Sequence, residues 1–282
     1  MKAFIIIWLM IIGAIMGSFL GCMGYRIPNK IKTTYPSSFC EKCKKSLKWY
    51  MNIPIISYIM LGGRCYYCKE KIGSIYFICE LLGLFLFPMN YIFYEFSINF
   101  FVLTIFSMIL IVTMVSDFKY YYISDRVLVV SLILLLITNY CFLDLRDFMI
   151  RALCGVALFL VMYGLKIMGN QMFQRESLGD GDIKLMGVLA IGLGFINSFI
   201  SLFIASVVGL IFSLIIIKKN KEGIIPFGPF LIIGSMICLY LSNIITPYIN
   251  ELLSLWGRWY YEKNEKNTVC SCSCTNSFIC SK

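Results

Sequence analysis

The chain contains no histidine at any of its 282 positions. That absence removes the Ser-His-Asp triad, the Cys-His dyad, His-ligated catalytic zinc and most histidine proton relays together. If the protein is hydrolytic, carboxylates are the leading candidates for its acid and its base. Charge is also scarce: only 14% of residues are Asp, Glu, Lys or Arg, against 60% hydrophobic, with a mean hydropathy of +0.82. A soluble domain carries roughly 25% charged residues, so the composition excludes an ordinary soluble fold and points to an all-α polytopic membrane protein.

Apolar runs recur at about 4–24, 75–94, 98–116, 127–143, 148–168, 183–198, 199–217 and 224–247, which predicts about eight transmembrane helices. The sixth and seventh are short and abut, as a tight hairpin or one broken helix. The first run resembles a signal peptide, and Leu20-Gly21-Cys22 a lipoprotein cleavage box. It continues, however, into a strongly basic loop with only Glu41 and Glu70 opposing, and such a loop belongs on the cytoplasmic side. The first run therefore reads as a retained helix with its N-terminus outside. By parity the loops around Asp117–Arg126, 169–182 and 218–223 also fall inside, and their Lys and Arg residues agree. The net charge of +10 is explained by these loops, and no nucleic-acid partner is expected.

The basic loop carries Cys40-Glu41-Lys42-Cys43 and Cys65-Tyr66-Tyr67-Cys68. Two C-x-x-C pairs at this separation predict a structural zinc site of four cysteines, since four thiolates complete a tetrahedron and fold a loop too small for a core. Two disulfides or a redox pair remain open as alternatives, although a reducing cytoplasm disfavours the first and no thioredoxin-like pattern accompanies the second.

The chemistry is expected at Glu176-Ser177-Leu178-Gly179-Asp180-Gly181-Asp182-Ile183-Lys184-Leu185, an acidic, glycine-rich turn at the edge of an apolar run. Asp180 and Asp182 could simply cap the next helix. A second acid, Asp117, changes the balance: the spans at 127–143 and 148–168 carry the chain out and back, so Asp117 and Asp182 return to the same membrane edge and can pair. Two carboxylates sharing a site do not both ionise cheaply, so one serves as general acid while the other activates water. Lys184 is expected to face elsewhere or to anchor at lipid headgroups.

These motifs resemble the bacterial prepilin leader peptidase and N-methyltransferase family. The resemblance runs through Gly17-Ser18-Phe19-Leu20, Tyr25-Arg26-Ile27-Pro28, both cysteine pairs, Asn52-Ile53-Pro54, Gly63-Arg64, Glu80-Leu81-Leu82, Asp117, Ile123-Ser124-Asp125-Arg126, Gly179-Asp180-Gly181-Asp182-Ile183-Lys184-Leu185 and Pro226-Phe227-Gly228-Pro229-Phe230. Ser124 stands where the family has proline, Gly21 where it usually has Asn, and Met51 where an acid is common. The resemblance implies a GxGD-type intramembrane aspartic peptidase of the bacterial cell membrane, with Asp117 and Asp182 as the catalytic pair facing the cytoplasm. Gly179, Gly181, Asp125 and Asp180 would position substrate. It further implies type IV prepilin or pseudopilin substrates, and methylation of the new N-terminus with S-adenosylmethionine. The departures at Gly21 and Met51 bear on methylation rather than cleavage.

Three regions are expected: residues 1–95 with the cysteine loop and the methyltransferase part, 96–248 as the peptidase membrane domain, and 249–282 as an interfacial segment with a Cys-rich tail. An ion- or proton-coupled transporter would use the same acids. Transporters often show repeated halves, and none is visible here.

Overall fold

The computed structural model describes residues 1–33, 35, 37–174, 178–217 and 226–242, and the expected interfacial segment and Cys-rich tail at 249–282 lie outside them. The described elements are α1 (Lys2–Arg26), α2 (Ile56–Met60), α3 (Ser74–Tyr94), α4 (Ile98–Tyr120), α5 (Asp125–Phe142), α6 (Leu145–Phe173), α7 (Asp180–Leu193), α8 (Phe195–Ile217) and α9 (Gly228–Tyr240). Among the described residues there is no strand beyond two isolated bridges in the cysteine loop. Six helices, α1, α3, α4, α5, α6 and α8, are long and apolar enough to cross a membrane. The spans expected at 183–198 and 224–247 are the shorter α7 and α9, of 14 and 13 residues.

Contacts at the helix ends show how the chain alternates. Gly192 of α7 abuts Val102 and Phe106 in the first half of α4, and Asn139 near the end of α5 donates to the Ile191 carbonyl at 3.1 Å. Phe212 of α8 meets Phe118 in the last turn of α4. Helices α7 and α8 therefore run in opposite directions, and the sixth and seventh runs form a tight hairpin. Its turn is Gly194, whose φ of +77° is open to glycine and costly for other residues.

The bundle is not evenly enclosed. In α4, 67% of the most apolar window is buried by protein, against 17–33% in the other five long helices, and α7 is buried from Leu185 through Leu193. A helix that is apolar all round and covered by its neighbours is a central one. Helix α9 is just as covered, buried at most of its length from Gly228 to Leu239, so three helices are central, and two of them carry Asp117 and Asp182. Asp117 itself was expected in the loop after a span ending near 116. It instead lies in the last turn of α4, because Tyr121 N–H still bonds back to the Asp117 carbonyl at 3.0 Å before the chain leaves through a left-handed Tyr121.

On the flank, α1 packs against α3 through small residues. A Cβ at Gly13 would lie 2.1 Å from the Gly83 carbonyl oxygen, and one at Gly17 would lie 2.5 Å from that of Cys79. Without a hydrophobic drive between helices in lipid, such backbone approach is what generates packing energy. Gly17→Val places its branch against α3 backbone, which cannot yield as a side chain can. We expect a loss of about 1–3 kcal/mol in unfolding free energy, read as a lowered midpoint in a detergent-denaturant titration of the purified protein. An unchanged midpoint would mean that α1 does not rest on α3 in this way.

Candidate active site

The site forms where the last turn of α4, the first turn of α7 and the start of α9 converge. Asp117 is only 5% exposed. Its Oδ2 accepts the N–H of Gly228 at 3.2 Å. Gly228 opens α9, so this N–H is one of the helix's orphan donors, and the carboxylate uses it as helix N-termini use any anion. A Cβ on residue 228 would lie 3.0 Å from Asp117 Oδ2 and 2.8 Å from Ile123 Cδ1, so any side chain there would have to displace Ile123 or the carboxylate.

Ile123 also touches the other side of the site. A Cβ on Gly181 would meet the Ile123 Cβ at 2.9 Å, while a Cβ on Gly179 would meet Asp182 Oδ2 at 3.1 Å. One isoleucine thus packs against the glycine beside each acid and draws α7 and α9 together. Asp182 lies within the electrostatic field of Asp117, and its Oδ1 is buried without a protein partner. A carboxyl oxygen withheld from the protein's own hydrogen bonds is available to a proton, a water or a substrate group.

The other expected site residues sort differently. Gly179 and Gly181 lie in the α7 turn against Asp182 and Ile123. Asp125, 66% exposed at its side chain, pairs with Lys184 at 2.7 Å, and Asp180 pairs with Lys166 of α6. Both acids stand at the rim with lysine partners. Lys184, expected to face away from the pair or to anchor at headgroups, faces away from it, toward Asp125 at the start of α5, because two residues along α7 from Asp182 is roughly half a helical turn. Sequence reasoning did not identify Ile123 or the Gly228 N–H as site groups. The Phe227-Gly228-Pro229 stretch was the available signal for the second.

Beside Ile123 opens a cavity of about 760 Å³ between residues 27–32 and 120–126, with Ile27, Lys30, Tyr122 and Ser124 on its walls. The Ser124 hydroxyl is buried there without a protein partner.

At the same end of the bundle, Cys40, Cys43, Cys65 and Cys68 hold their four sulfurs within 4.8 Å of one another, with none in a disulfide. The two knuckles repeat one backbone pattern. Cys40 N–H donates to the Lys45 carbonyl and Lys44 N–H to that of Cys40, as Cys65 donates to Glu70 and Lys69 to Cys65, with Lys44 and Lys69 both at left-handed φ. Burial acts to raise the Cys65 thiol, but the backbone N–H groups of Cys68 and Tyr67 and the neighbouring thiols outweigh it and bring it down to about 7. At Cys68 the Glu70 backbone acts to lower the thiol, and burial with the thiols of Cys65, Cys43 and Cys40 pushes it up to about 11. The cluster could hold a metal ion. It is tied to the acidic site through Lys119, two residues beyond Asp117, which pairs with Glu41 at 3.2 Å and reaches the Tyr76 hydroxyl at 3.0 Å.

Residues 11–96 match the Bacterial Peptidase A24 N-terminal domain, and residues 103–214 match the Type IV leader peptidase family. A protein of Escherichia coli named as a type 4 prepilin-like proteins leader peptide-processing enzyme is 30% identical over 82% of this chain and 91% of its own length. Prepilin leader peptidase/N-methyltransferases of Bacillus subtilis and Pseudomonas aeruginosa are 29% and 28% identical, over 87% and 84% of this chain and 98% and 90% of theirs. No solved structure matches significantly. With relatives aligned over nearly their whole length and an acid pair enclosed at one end of a helical bundle, the chain belongs to the type IV leader peptidase family.

Proposed function

We propose that this protein cleaves the leader peptide from type IV prepilins or pseudopilins with Asp117 and Asp182 as its catalytic pair, and then N-methylates the new N-terminus. The observation that carries the peptidase assignment is that buried Asp117 and half-buried Asp182 lie within each other's field, with Asp182 Oδ1 unpartnered. One carboxylate takes a proton from water as the oxygen attacks the scissile carbonyl. The other, protonated, donates to the carbonyl oxygen. The first then passes the proton it took from water to the departing amine, while the second recovers its own as the C–N bond breaks and the carbonyl reforms. The Gly228 N–H holds Asp117 in place through these steps. Gly179 and Gly181 let a substrate backbone approach the pair, while Asp125 and Asp180 act from the rim. The transporter reading draws on the same four acids, but the lysine partners of Asp125 and Asp180 leave only the enclosed pair free for a relay.

We assign the four cysteines to one structural zinc. Tetrahedral thiolate coordination at about 2.3 Å sets sulfurs about 3.8 Å apart, and Cys40 and Cys68 sulfurs lie 3.9 Å apart. Four protein ligands leave no position for a water, so the ion would shape the loop and take no part in cleavage. S-adenosylmethionine is the methyl donor implied by the relatives' names. Among the described residues no strand and glycine turn forms a nucleotide cradle, so none is assigned to it. We assign the regions 1–95 and 96–248 as the methyltransferase and peptidase parts. The acids and the cysteine loop face the cytoplasm.

Asp117→Asn and Asp182→Asn should each lower leader cleavage of a pilin-like peptide by roughly 10²–10⁴-fold, because an amide neither accepts nor supplies the shuttled proton. Asp125→Asn and Asp180→Asn should retain partial activity. Normal cleavage by the Asp117 variant alongside a dead Asp125 variant would place the first acid wrongly, and cleavage by all four would remove the aspartyl mechanism.

Metal analysis of purified protein should return one zinc per chain, lost together with loop folding on Cys65→Ser. A metal-free preparation with intact peptidase activity and an ordered loop would refute the assignment.

A membrane-impermeant thiol reagent applied to intact cells under reducing, chelating conditions should leave Cys40, Cys43, Cys65 and Cys68 unlabelled, and their labelling would reverse the orientation.

A further inference from the structure

The excursion between the two knuckles, residues 44–64, lies in the part assigned to methylation, but its exposed surface has been given no role in either activity. It contains a 3₁₀ turn at Trp49–Asn52 and then α2, five residues long. Its backbone does not simply project from the bundle. Ile55 N–H donates to Glu80 Oε2 at 2.7 Å, and the Ser18 side chain of α1 bonds the same carboxyl group. Glu80 lies six residues into α3, about 9 Å below its start, and Ser18 lies eight residues before the end of α1. The loop therefore folds back down along the two helices to a level below their ends. Tyr58 fixes it there by stacking on Phe77 of α3, with ring centroids 4.6 Å apart and planes 17° from parallel.

At that depth a free N–H is costly, and irregular backbone persists only where protein satisfies it. Glu80 satisfies it at Ile55, a β-branched residue at φ +64° and ψ −53°, a conformation that such residues avoid. The outward side of the segment is apolar. Trp49 and Met60 are 81% and 80% exposed, and Ile56 and Ile59 are exposed between them. Ile78 of α3, the residue after the Phe77 on which Tyr58 stacks, is exposed as well. Residues 44–64 include Lys44, Lys45, Lys48 and Arg64 and no acidic residue.

We propose that residues 49–60 are a membrane-interface anchor for the cysteine loop. Trp49, Ile56, Ile59 and Met60 enter the headgroup–acyl boundary of an anionic leaflet, the lysines meet lipid phosphates, and Glu80 latches the segment at that depth. Tryptophan and apolar residues beside lysines are the composition that partitions to this boundary. The cysteine knuckles close the excursion at both ends, so the anchor ties the metal loop to the bilayer at its midpoint.

The test uses the full chain with Trp8, Trp256 and Trp259 replaced by Phe, reconstituted in vesicles of phosphatidylcholine and phosphatidylglycerol. Lipids carry bromine either near the headgroup or at the acyl-chain end. Trp49 emission should fall by roughly half with headgroup-proximal bromine, fall little with chain-end bromine, and resist aqueous iodide. Glu80→Ala should raise iodide access, and replacing Lys44, Lys45 and Lys48 by Gln should weaken lipid quenching in anionic but not in neutral vesicles. Full iodide quenching with no effect of brominated lipid in the unaltered loop would overturn the proposal. Protection that appears only when a pilin-like peptide is added would also overturn it, since the occupant would then be a peptide.

Discussion

An ionisable pair at the edge of a bilayer has to be enclosed by protein, and the arrangement of this bundle follows from that requirement. A carboxyl group facing lipid would be uncharged and out of reach of water, while one in open solvent would not share a proton with its neighbour. Helices α4 and α7, which carry the acids, are accordingly wrapped by others, together with α9, whose first N–H meets Asp117. The long helices around them expose most of their apolar surface, as lipid-facing helices can.

Enclosure alone does not bring two acids together from 65 positions apart in sequence. That depends on close backbone approach, which only residues without a side chain permit. Gly181 and Gly228 both receive Ile123, and Gly228 at the same time offers its N–H to Asp117. An added methyl at Gly181 would meet the Ile123 Cβ, and one at Gly228 would displace the Ile123 side chain or the Asp117 carboxylate. The glycines of the acidic turn thus shape packing as much as they admit substrate.

The cysteine loop is fastened to this structure at two levels. Near the ends of the helices, Glu41 of the first knuckle meets Lys119 and Tyr76, which links the loop to the turn bearing Asp117. Deeper, Glu80 holds the backbone of Ile55. The loop has no core of its own, so these contacts and the four convergent sulfurs are what order it.

Much of this was legible in the residues. The absence of histidine left carboxylates as the acid and base, the apolar runs marked every helix but the five-residue α2, and loop parity alone brought Asp117 and Asp182 to one edge. The spacing of the cysteines announced their cluster because two short knuckles fold by local backbone bonds that any C-x-x-C turn can make. Sequence could not decide whether runs six and seven formed one helix or two, since Gly194 is compatible with both until α4 and α5 fix the far end of α7. Nor could it show Ile123 as the shared wedge, Lys166 and Lys184 as partners of the rim acids, or Glu80 as the support of Ile55. Each is a contact between residues distant in the chain, set by where helices cross. Local pattern determines which segments are helical and which end they start from, and only their packing determines which side chains meet.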